Sequence, residues 1–112
     1  MTGKILTRAG VLNQRDRFLR MPAETYAVWS DDITTDSADR LPSIPSAVFP
    51  RIYTHHVTVE VYEPKPDDTI ETAIEAELDA EGLPWSKQDR FWLEDIQRYQ
   101  VIYEYSYTSK TK

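Results

Sequence analysis

Polar and apolar residues alternate one by one along two long stretches of the chain. In Arg98–Tyr107, RYQVIYEYSY, residues Tyr99, Val101, Tyr103, Tyr105 and Tyr107 share one side. Arg98, Gln100, Glu104 and Ser106 share the other, with Ile102 as the one apolar exception. Alternation rich in aromatic and β-branched residues predicts a strand with one buried face. Ile52–Tyr62, IYTHHVTVEVY, repeats the pattern: Tyr53, His55, Val57, Val59 and Val61 against Thr54, His56, Thr58, Glu60 and Tyr62, with Pro64 and Pro66 ending it. Thr25–Ser30, TYAVWS, is a shorter strand in which Tyr26 and Val28 oppose Ala27 and Trp29. Trp85–Ile96 reads as an irregular strand with large apolar groups on both sides, turning near Glu94 and Asp95 into the tyrosine-rich strand.

The period changes from two to that of a helix in Asp68–Glu81. Ile70, Ala73, Ile74 and Leu78 form one stripe, Asp68 is the expected N-cap with Glu71 three residues on, and Gly82 and Pro84 close the element. Its outer side is expected to carry Glu71, Glu75, Glu77, Asp79 and Glu81, with no base among them. Thr2–Ala9 predicts a short helix with Thr2 as N-cap, Ile5 and Leu6 inward and Gly10 at the left-handed C-cap. At two turns it has to dock on the sheet to persist.

Val11–Glu24 reads as irregular, anchored by Phe18, Leu19 and Met21. Asp31–Pro50 reads as a long loop, and residues 108–112 as a frayed tail. The expected fold is therefore α+β: a four-stranded, mainly antiparallel sheet with two helices on one face, in the order α-β-β-α-β-β. Residues 1–112 are expected to form one domain.

Charge narrows the partners. With 19 acids against 13 bases the chain carries −6, which disfavours binding to phosphate backbones and favours protein partners. The bases gather early, at Lys4, Arg8, Arg15, Arg17 and Arg20. There is no cysteine, so neither disulfides nor thiolate metal sites are available. No apolar run approaches the ~18 residues of a membrane span, and the first residues lack the apolar segment of a signal peptide.

Candidate chemistry is sparse. His55 and His56 are neighbours in a strand and point to opposite faces, so they do not share a metal. A catalytic histidine needs a nucleophile and an orienting carboxylate, which spacing alone does not supply. The acidic run DDITTDSAD lacks the glycine and the acid spacing of a calcium loop. The acids of the second helix lie on one element rather than across a cleft, which argues against a glycosidase pair. The aromatic residues of the last strands favour a core or a subunit interface over a base-stacking platform, because few bases accompany them. No catalytic residue, metal or cofactor is therefore assigned. Leu41, Ile44, Val48 and Phe49, apolar within the long loop, are candidate subunit or partner contacts.

Taken together, TYAVW with its Asp-rich loop, HHVTVEVYEPKPDD, the IEAELDAEG helix and WSKQDRFWLEDIQRYQVIYEYSY resemble a family of small proteins of long-tailed bacteriophages and prophages. These are head–tail joining proteins of the tail-completion or tail-terminator class. The resemblance implies a structural, non-enzymatic subunit that assembles into a ring, commonly a hexamer, joining tail tube to head connector. It implies assembly in the host bacterial cytoplasm and residence in the virion. The partners it implies are further copies of the chain, the tail tube protein and head connector proteins, without specific nucleic-acid binding and without a membrane. Within such a ring Asp31, Asp32, Glu71 and Glu75 are expected to face a lumen through which DNA passes. A stand-alone protein-binding module, a small regulatory protein and, further off, a small enzyme are the alternatives.

Overall fold

Eight elements follow in order in the computed structural model, which describes residues 1–18, 20–35 and 52–110. They are α1 (Thr2–Arg8), β1 (Leu12–Arg15), β2 (Tyr26–Thr35), β3 (Ile52–Glu63), α2 (Asp68–Ala80), β4 (Trp85–Lys87), β5 (Phe91–Leu93) and β6 (Arg98–Lys110). All the strands join one six-stranded sheet ordered β1-β2-β3-β6-β4, with β5 pairing β6 on the same side as β4. The expected four-stranded sheet in the order α-β-β-α-β-β is thus corrected to α-β-β-β-α-β-β-β.

Two departures account for the difference. Leu12–Arg15 lies in the stretch expected to be irregular, yet it pairs parallel to the start of β2, Leu12 with Tyr26 and Arg15 with Trp29. Four residues are too few to display a periodicity. The Trp85–Ile96 segment divides into β4 and β5. Lys87 pairs with Tyr103 and Phe91 with Gln100. Four steps on one strand thus match three on the other. The extra residue is a bulge, which places Asp89 and Arg90 together opposite Val101. β2 also runs on through Asp31 and Asp32 to Thr35, and β6 to Lys110, beyond the points where loop and tail were expected.

The alternation of β3 and β6 is realised as read. Val57, Val59 and Val61 face Tyr105, Tyr103 and Val101 across the pair, all buried. Ile5 and Leu6 of α1 and Ile74 and Leu78 of α2 close over that face together with Ala27 of β2. On the opposite face, Phe18 packs edge-on against Tyr26, which stacks on Tyr62, so Tyr26 is buried there without a helix. Both helices end in one and the same way. Gly10 and Gly82 take positive φ, and Val11 N–H and Leu83 N–H reach back to the carbonyls of Leu6 and Leu78. The N-cap of α2 is Asp67, one residue before the expected Asp68; its carboxylate accepts from Ile70 N–H.

Candidate functional site

Two polar clusters stand out, one at each end of the helix-side face. The first grows from the alternation of β3 itself. One step of two beyond Val61, Glu63 falls on the buried face and is 0% exposed. Glu71 of α2 lies on the same inward stripe as Ile74 and Leu78 and is 3% exposed. Two carboxyls buried side by side need cations, and the β4–β5 edge supplies them. Arg90, brought to this face by the bulge, bonds Glu63 at 3.2 Å, Asp68 at 2.9 Å, and Glu71. Lys87 bridges Glu71 and Glu75, each at 2.8 Å, and Tyr103 donates its hydroxyl to Glu75 at 2.7 Å.

Protonation follows from this arrangement. Burial, with the neighbouring Glu71, pushes the Glu63 carboxyl up to about 8. Burial acts against ionised Glu71 too, but hydrogen bonds from Glu63, Lys87 and Arg90 outweigh it and hold that carboxyl below the usual range. At neutral pH the pair thus shares one proton, held by Glu63, and one negative charge, on Glu71.

The acidic side of α2 is correspondingly not the open face expected from sequence. Glu71 is buried; Glu77 and Glu81 accept from Arg8 of α1 at 2.9 and 2.7 Å, and Asp79 accepts from the Trp85 indole at 2.8 Å. The bases absent from the helix arrive from α1 and from the β4–β5 edge.

The second cluster lies where the helices no longer cover the sheet. Asp31 of β2 accepts from Nδ1 of His55 at 2.9 Å, and Nε2 of His55 meets Ser109 Oγ of β6 at 2.9 Å. The imidazole stacks on Tyr107, centroids 4.3 Å apart and 5° from parallel. A hydroxyl and a carboxylate, which spacing did not supply, are brought to His55 by strand register. Asp31 pairs with Val57, and Ser109 with Tyr53, each two positions from His55 and on its face.

Of the four acids expected at a lumen, Asp31, Glu71 and Glu75 all have partners within the chain, while Asp32 is exposed on the opposite face. Asp32, His56, Thr58, Ser86, Glu104 and Ser106 line a shallow concavity of about 480 Å³ there. Leu41, Ile44, Val48 and Phe49 lie outside the described residues. Among the described residues no group of three His, Cys, Asp or Glu side chains is placed to hold a metal ion, and no helix is long and apolar enough to cross a membrane.

No family model and no curated protein matches the chain. Among solved structures it is similar to a chain in the virion of a native gene transfer agent (GTA) particle, with a TM-score of 0.61 over 96% of this chain and 84% of that one. At 15% sequence identity, what the two chains share is the fold.

Proposed function

We propose that this chain is a structural subunit of a phage-like particle, a tail-terminator or tail-completion protein that assembles into a ring between tail tube and head connector. The observation that carries this reading is the shared fold with a chain of a gene transfer agent virion over 96% of the length. The outer surface supports it. Among the described residues β5 lies at one margin of the sheet and β1 at the other; Phe91 and Trp92 of β5 are each 41% exposed and Leu12 of β1 is 46% exposed. Aromatic side chains on an unpaired strand edge are the composition of a protein interface. Two different edges meeting head to tail generate a closed ring when the rotation allows it.

In that ring the negative potential along the DNA path comes from Asp32, Glu60 and Glu104 on the uncovered face, because the acids of α2 are already paired with Arg8, Lys87 and Arg90. An acidic lumen lets DNA pass without sticking. The partners are further copies of this chain, a tail tube protein and a connector protein, with assembly in the host cytoplasm before incorporation in the virion. Sedimentation and electron microscopy of the purified chain, alone and with tail tube protein, test the reading. Rings capping the tube are expected. A chain that stays monomeric and binds neither tube nor connector overturns it.

A further inference from the structure

The Asp31–His55–Ser109 chain has no part in the core or in the proposed assembly, and it has an unusual order. The carboxylate meets Nδ1, the hydroxyl meets Nε2, and both distances are 2.9 Å. As a carboxylate Asp31 only accepts, so Nδ1 carries the hydrogen and Nε2 is left as the base facing Ser109 Oγ. This is the sequence of contacts by which a base-activated serine is made. The hydroxyl end of the cluster reaches solvent: Ser109 is half-buried, whereas the side chains of His55 and Asp31 are only 13% and 11% exposed, and Ile33 beside them is 52% exposed.

From this geometry we propose that Ser109 is an acylation site, a nucleophile activated by His55 that accepts an acyl group from small activated esters. In the step, Ser109 Oγ forms a bond to the acyl carbon while its proton passes to His55 Nε2. The bond from that carbon to the leaving oxygen then breaks, and the leaving group takes the proton from Nε2 and departs as the alcohol. Asp31 is a positioning residue that fixes the tautomer. The proposal is independent of ring assembly, since all three residues belong to one chain.

The opposite face contains an internal comparison. Asp32, His56 and Ser106 are directly paired across the same three strands, but there His56 meets Ser106 through Nδ1 at 3.1 Å and Asp32 makes no bond to it. The same residue types are present without the order that activates a hydroxyl.

The test is reaction of the intact chain with p-nitrophenyl acetate and with a fluorophosphonate, read by peptide mass spectrometry. One acetyl group per chain from the ester, or one phosphonyl group from the fluorophosphonate, is expected on Ser109, with a rate about a hundredfold above that of the urea-unfolded chain. Ser106 stays unlabelled. Ser109→Ala and His55→Gln are expected to abolish the label while the circular dichroism spectrum is unchanged. Asp31→Asn is expected to slow the reaction about tenfold, and Asp31→Glu, which keeps the carboxylate, to restore part of the rate, a pattern that loss of a merely structural bond would not give. Labelling of Ser109 no faster than in the unfolded chain, or of Ser106 equally fast, overturns the proposal.

Discussion

β3 and β6 keep one alternation along their whole length, yet their two ends are held by different forces. From Val57 to Glu63 the shared face lies under α1 and α2, its side chains are buried, and the two carboxyls that enter it are compensated by Arg90 and Lys87. From Ile52 to His56 the same face lies beyond the two helices, and what spans the strands is a chain of hydrogen bonds through His55. Alternation therefore says which side a residue takes, and coverage by the helices decides what that side is worth.

The contrast is sharpest at Tyr103, which is fully buried and donates to Glu75. Tyr103→Ala is expected to cost about 3–4 kcal/mol in urea unfolding, the range for emptying an aromatic site in a core. Next comes Arg90→Met, which takes one of the two cations from ionised Glu71 and is expected to cost about 2–3 kcal/mol. If either change cost no more than a surface substitution, the covered end would not be the stabilising one.

The pH dependence is the third measure of the covered end. Glu63 loses its proton at about 8 in the folded chain, against an ordinary 4.5. Between those values the folded state binds more protons than the unfolded one, so stability falls as pH rises through this window. The loss is expected to be on the order of a few kcal/mol, the free-energy equivalent of a shift of this size. Glu63→Gln keeps a hydrogen-bond donor for Glu71 and is expected to flatten the curve in this window, measured by denaturant unfolding at a series of pH values. At the uncovered end, His55→Ala is expected to cost about 1 kcal/mol, the value of a partly exposed hydrogen bond. Asp32→Asn, on the open face, is expected to stay within about 0.5 kcal/mol. A His55 effect as large as that of Tyr103 would erase the distinction between the two ends.

Much of this architecture is legible in the residues, and the omissions have physical reasons. The faces of β3 and β6 and the inward stripe of α2 follow from periodicity, which burial enforces at every step. Gly10 and Gly82 mark helix ends because each must adopt positive φ. Glu71 was also within reach, since it stands at the three- and seven-residue spacings of Ile74 and Leu78; only its charge argued for the outside. Glu63 likewise continues the valine series of β3. What sequence could not supply was register. The partners of His55 lie 24 and 54 residues away, and nothing local states that Asp31 and Ser109 stand two positions to either side of it in the register. β1 escaped for a related reason: its pairing is with the start of β2, across an intervening segment without regular structure.

The bulge between β4 and β5 has a consequence for how this chain tolerates changes in its length. Uninterrupted pairing on from Lys87 would seat Asp89, not Arg90, opposite Val101, and so turn a further carboxylate toward Glu63 and Glu71. The charges thus select the bulged arrangement. Removing Asp89 would let the strand run straight while leaving Arg90 opposite Val101 and Phe91 opposite Gln100. A one-residue deletion at this point is therefore compatible with the fold, whereas the loss of one residue inside β3 would exchange its two faces. Length variation in this part of the sheet is expected at residue 89.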